Sequence, residues 1–359
     1  MTTTPATDAP ARPGLYLAAG DVVAGRYVVT REIGRGGHSV VYAARDRDLG
    51  ADVALKLLVP PPAVARLARE RLRREVQAVR GLAHEHVAAV HDLVEDGERS
   101  VLVMELVDGP DLERRVRERG PLAPDGAAAL GREVADALSA AHRRGILHRD
   151  VKPSNVLLEP RPGGQPSARL TDFGSARLDG QATLTETGAL VGTLCYVAPE
   201  VLAGARADAR AEVYALGMTL HFTLTGRLPD RPSRHLPPPP APDGFRPSVA
   251  LSEPAPPGAP IPAWLDAIVA RATAADPRHR FPTAAAMAAA LAAGDAGAPL
   301  PVLHDEPPHP TRLPIEYLAF CGGVGAVGLV VGAVAVPAFL WTTPAFVLLL
   351  LAAGARRVA

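Results

Sequence analysis

Lysine is almost missing from this chain. Of 38 basic residues all but two are arginine, and the two lysines, Lys56 and Lys152, stand far apart. Cysteine is as scarce: only Cys195 and Cys321 occur, the second in an apolar tail. Neither a disulfide framework nor a cysteine metal cluster can be built from them, so a reducing cytoplasm is expected for the folded part. An excess of either charge is missing too, with 38 acids against 38 bases, which speaks against a nucleic-acid partner. The opening stretch MTTTPATDAPARPG has no basic start and no apolar core. It reads as no signal peptide, and residues 1–25 are expected to form a short disordered lead.

What is present divides into zones. Up to about residue 105, short runs rich in valine and leucine alternate with turns: GRYVVTREIG, HSVVYAARD, DVALKLL, VAAVHDLVEDG and RSVLVMELV read as strands. One helical stretch, 63–82, interrupts them. From 111 to about 293 helical patterns dominate, as in AAALGREVADALSAAHRRG and AEVYALGMTLHFTLTG. A strand-rich part followed by a helix-rich part predicts an α+β chain of two lobes. Residues 229–262 hold 13 prolines, too many for a helix or a central strand, and read as a surface excursion with polyproline II character.

Residues 315–355 change character again. Within them 317–355 carry no charge, and 318–336 are 19 apolar or small residues in a row. Such a helix spans roughly 29 Å, the thickness of a bilayer core. Pro337, Trp341 and Pro344 break the run, while Arg312 precedes it and Arg356 and Arg357 follow it. Basic flanks on the cytoplasmic side favour a tight hairpin over one crossing. The expected organisation is a folded domain over 26–293, a linker over 294–314, a transmembrane helix or helical hairpin over 315–355 and a basic tail at 356–359.

Chemistry gathers at a few places. Gly34 and Gly36 sit between two strand-like runs, which excludes the helix-opening phosphate loops and leaves a glycine-rich hairpin or an ordinary turn. Glycine there lets backbone N–H groups approach phosphates closely. Lys56 ends VALK among apolar neighbours and needs a partner if buried. On the 63–82 helix, Val64, Leu67, Leu72, Val76 and Val79 form one apolar face, and Glu75 falls on it. Glu75 is therefore either the partner of Lys56 or a surface partner of Arg71 or Arg74. In HRDVKPSN, Asp150 and Asn155 flank a segment that Pro153 keeps from being helical, and Asp172 follows an apolar strand in LTDFG. Two aspartates and an asparagine are suited to a hydroxyl proton and to Mg²⁺.

In this order the motifs resemble the eukaryotic-type (Hanks-type) serine/threonine protein kinases of bacteria, over about 26–293. The resemblance implies a bilobal protein kinase fold. GRGGHSVV places Gly34, Gly36 and Val41 over the phosphates of ATP, with Lys56 held by Glu75. Met104 becomes the gatekeeper, and the backbone of 105–107, including Glu105 and Val107, the adenine-binding hinge. Asp150 becomes the base, and Asn155 and Asp172 the ligands of Mg²⁺, or of Mn²⁺ in its place. Glu200 of APE is matched with Arg280 of DPRHRFPT as its buried partner. Lys152, and Thr193 in GTLCYVAPE, mark a serine/threonine kinase. Arg149 implies an activation loop ordered by phosphate, with Thr185 and Thr187 in ATLTETGALVGT as acceptors and Thr183 beside them.

Implied partners are ATP, protein substrates with Ser or Thr acceptors, the membrane, and a homodimer that phosphorylates itself in trans. The kinase domain is expected at the cytoplasmic face of the cell membrane. Three departures stand out. Ser39 replaces the third glycine of the loop. Glu212 stands where the family has an aspartate that ties down the catalytic loop, and its extra methylene is expected to weaken that tie. The proline-rich stretch occupies the place of a substrate-docking helix. The rival reading is a membrane-tethered pseudokinase scaffold, and PPPP could separately serve an SH3-like partner.

Overall fold

The computed structural model describes residues 16–35, 39–58, 72–73, 76–97, 99–173, 194–228 and 260–297. All of them belong to the first of the two units into which the chain divides, Met1–Asp305. Gly36, Glu75, Thr183, Thr185, Thr187 and Thr193, most of the proline-rich stretch and all of 315–355 lie outside the described residues. No helix among the described residues is long and apolar enough to cross a membrane.

The strand-rich part forms one antiparallel sheet. Its strands are β1 (Val22–Val23), β2 (Tyr27–Arg35), β3 (Ser39–Asp46), β4 (Ala51–Leu58), β5 (Val90–Asp96) and β6 (Arg99–Glu105), in spatial order β1-β2-β3-β4-β6-β5. Side chains alternate across a strand, so β4 buries two sets. Val53, Leu55 and Leu57 join Val29, Tyr42, Val101 and Val103 in a core on one face. Ala54 packs on the other with Leu102, Met104, Leu72 and Val76. Lys56 shares the register of Ala54 and so projects from that second face. Residues 72–73 and 76–79 are helical, and Leu72, Val76 and Val79 are buried, as the apolar stripe predicts.

The expected boundary at residue 25 needs correction. Leu17 is buried in the sheet's core and its N–H donates to Tyr42 Oη at 3.2 Å. Val22 and Val23 pair with Val28 and Tyr27. Residues 16–25 are therefore part of the sheet's lobe. Arg26 then closes the β2–β3 ladder by a two-pronged bond to Asp46, at 2.8 and 2.7 Å. That guanidinium holds the Asp46 carboxyl down at about 2.

The helical part holds α1 (Leu112–Arg119), α2 (Pro124–His142), α3 (Pro199–Leu202), α4 (Ala209–Thr225), α5 (Ala263–Ala272) and α6 (Ala284–Asp295), with the hairpin β7 (Val156–Glu159) and β8 (Ser167–Leu170) laid on it. Helix α4 is buried from Ala211 to Thr225, as a helix apolar on all sides must be. Asp208 caps it by accepting from Arg210 N and Ala211 N, and Gly226 ends it at φ 70°. Its neighbours come close through glycine: a Cβ on Gly217 would lie 2.8 Å from the Ala272 Cβ. The cap fixes where the first turn of α4 starts, and Glu212 stands in that turn.

Candidate active site

Three short stretches meet at the cleft face of β4. Lys56 is buried, and its Nζ lies 2.7 Å from Asp172 Oδ2. Asp172 follows β8 with φ 67°, a left-handed conformation rare outside glycine that turns its carboxylate back toward β4. Val41, the β3 partner of Lys56, packs beside that face, and Gly34 is in turn the β2 partner of Val41. Glu75, the expected partner of Lys56, lies outside the described residues, as does Gly36. Ser39 opens β3 and pairs with Leu58, two residues from the Val41–Lys56 pair.

Pro153–Asn155 form one turn of 3-10 helix, which places Asn155 under Asp150. Asn155 Nδ2 donates to Asp150 O at 2.7 Å and to Asp150 Oδ2 at 3.0 Å. Lys152 Nζ meets the same Oδ2 at 2.8 Å. Both contacts fall on one carboxylate oxygen, which orients the other. Asn155 also ties to the Asp172 segment, because its carbonyl accepts from Thr171 N at 3.0 Å. His148, fully buried, is bonded through Nε2 to Thr171 O at 2.8 Å and packs its ring 4.5 Å from that of Phe173. Asp150 and Asp172 are thus fixed to one scaffold.

Glu212 corrects an expectation. Its Oε1 accepts from Arg149 N at 2.6 Å and its Oε2 meets His142 Nε2 at 2.6 Å. The extra methylene does not loosen the tie; it lets one buried carboxylate reach the loop and the end of α2 together. Arg149 sits at φ 68°, so this bond holds a backbone conformation that needs holding. Glu200 and Arg280 pair as expected, through two bonds of 2.8 Å each, with Arg280 stacked 4.9 Å over Tyr214. Tyr196, beside them in CYVAPE, has its phenol pushed up by burial and stays protonated.

Met104 is buried on the cleft face of the sheet, and Glu105 ends β6. Beyond them Val107 is buried too, in a stretch without regular structure. Two partners found here, His142 on Glu212 and Arg169 on Glu105, have no counterpart in the sequence reading. A lone histidine at a helix end and an arginine in a strand carry no local signal of what they meet.

The strand-rich lobe, the helical part and the motifs that meet at the cleft are those of a protein kinase domain, and the chain belongs to the protein kinase family. Its residues 27–236 match the protein kinase domain. It is 38% identical over 288 residues to the serine/threonine-protein kinase PknJ of Mycobacterium tuberculosis, covering 77% of this chain and 46% of PknJ. The chain thus spans less than half the length of that relative. The crystal structure of the M. tuberculosis PknI kinase domain is similar with a TM-score of 0.59 at 32% identity, over 79% of this chain and all of that one. Rad53 1–466 in complex with AMP-PNP is similar with a TM-score of 0.56 at 25% identity, over 73% and 64% of the two chains.

Proposed function

We propose that the chain is a serine/threonine protein kinase that transfers the γ-phosphoryl group of ATP to Ser or Thr hydroxyls of proteins, itself included. The observation that carries this is the Asp150 carboxylate, held on one oxygen by Lys152 and Asn155 and so presented to an acceptor hydroxyl by the other. Asp150 orients that hydroxyl and takes its proton as the phosphoryl group is captured. Lys56 faces the α- and β-phosphates, and Lys152 offsets charge on the group in transfer. Asp172 and the side-chain oxygen of Asn155 would hold a hard divalent cation such as Mg²⁺, which would neutralise phosphate charge there. Both lysines meet a phosphate from a confined position, where a compact ammonium and a planar guanidinium are not equivalent.

The serine/threonine class draws support from Lys152 and from PknJ's name. ATP as donor draws support from the AMP-PNP complex of Rad53. The apolar stretch 315–355 supports a membrane anchor that keeps the kinase domain on the cytoplasmic side, where ATP is, and leaves room for phosphorylation in trans between copies on Thr185 or Thr187. The bond from Glu212 to Arg149 removes the ground for the scaffold reading that its extra methylene suggested.

The test is incubation of the full chain with γ-labelled ATP and Mg²⁺, alone and with a generic acceptor protein. Label is expected on Ser or Thr, and Asp150→Asn is expected to lose at least about 100-fold in kcat. Wild-type protein that binds ATP and transfers nothing would overturn the proposal.

A further inference from the structure

The hinge is fastened at both ends to one hairpin. At its start, Glu105 N donates to Ala89 O at 2.8 Å, and Glu105 Oε2 accepts from Ala89 N at 3.0 Å. The other carboxylate oxygen of Glu105 is bonded by the Arg169 guanidinium from β8. Arg169 also donates to the carbonyl of Glu85, in the turn before β5, and its Nε lies 3.6 Å from Glu159 Oε2 on β7. At the hinge's far end Leu158 N donates to Pro110 O at 2.9 Å, and a Cβ on Gly109 would fall 1.9 Å from Leu158 O. Between these fastenings residues 106–108 have no regular structure of their own. The direction of their carbonyl and N–H groups therefore depends on how the ends are held.

We propose that Arg169 is a positioning residue for the nucleotide: by gripping Glu105 it sets the adenine-facing backbone of the hinge in register with Asp172, three residues further along the chain, just past the end of β8. This rests on the reading that ATP lies along 105–107. The guanidinium suits the task because its planar fork meets three elements at once, which a single point charge cannot do. The pair is largely shielded, with 13% of the Arg169 side chain and 28% of the Glu105 side chain exposed, so water does not screen it as it screens surface pairs. Neither side chain is among those proposed for phosphoryl transfer.

The experiment measures ATP binding directly, by isothermal titration of the full chain, and ATP KM and kcat beside it. Arg169→Gln and Glu105→Gln are each expected to weaken ATP binding about fivefold and to raise KM in step. A rise in KM for ATP that exceeds any fall in kcat marks the loss as one of positioning and not of chemistry. The double variant is expected to lose no more than the worse single one, because both substitutions remove one interaction. Arg169→Lys, which keeps the charge, is expected to recover part of the loss. Glu105→Gln preserves volume and guards against a folding defect, which thermal unfolding of each variant checks. ATP binding unchanged in both single variants, or losses that add in the double, would overturn the inference while leaving the kinase reading intact. Wild-type protein that binds no ATP overturns both.

Discussion

Glu212 spans a gap that a shorter carboxylate would have to choose between. It is buried, and its two oxygens serve a backbone N–H and a histidine 2.6 Å away on either side. Removing it leaves both groups without that partner in a largely buried setting. Glu212→Ala is therefore expected to cost about 2–6 kcal/mol of stability, measured by urea unfolding, since each of the two donors left unpaired costs about 1–3 kcal/mol. It should also lower kcat about tenfold or more, because the left-handed backbone of Arg149 next to Asp150 loses its hold. A variant with wild-type kcat would show that the loop holds itself. This contact also marks the limit of reading single residues. Lys56, Asp150, Asn155 and Asp172 are legible in the sequence because local motifs a few residues long carry them. The acid at 212 is legible as a position, but its histidine partner is not, because the pair is set by how α2 and α4 cross.

At the scale of elements the same rule holds. Strands β2, β3, β4 and β6 alternate apolar and polar residues or run apolar throughout, and each lies where its pattern puts it. The stripe of Leu72, Val76 and Val79 points inward at helical spacing. The two-residue strand β1 is different: it has no period to detect, and the alanines, glycines and aspartate around it read as a lead. Yet it brings Leu17 into the core of the sheet. A chain beginning at Arg26 is expected to be less stable than one beginning at Tyr16 by about 2–3 kcal/mol, the value of one buried leucine and part of a ladder. Urea unfolding of the two chains reads the difference, and equal midpoints would mean that residues 16–25 pack without contributing.

At the scale of the whole molecule, we propose that the apolar tail sets where the protein sits. The two lobes need no membrane to form their cores, while 317–355 offers no charged residue to water. The full chain is expected to sediment with membranes, to resist alkaline carbonate and to be released by detergent; a chain ending at Asp305 is expected in the supernatant. Full-length protein that stays in the supernatant would exclude the anchor. Placed on a surface, copies of the kinase meet in two dimensions, so activity on a second copy should depend on surface density more than on bulk concentration.

The two lysines have one more consequence. Apart from the α-amine, they are the only primary amines in the chain, and each lies against a carboxylate of the same cleft. Reagents that acylate amines have no scattered surface targets here. Whatever label the folded protein takes up beyond its N-terminus reports on one cleft, and protection of that label by a bound nucleotide becomes a footprint of occupancy that needs no engineered probe.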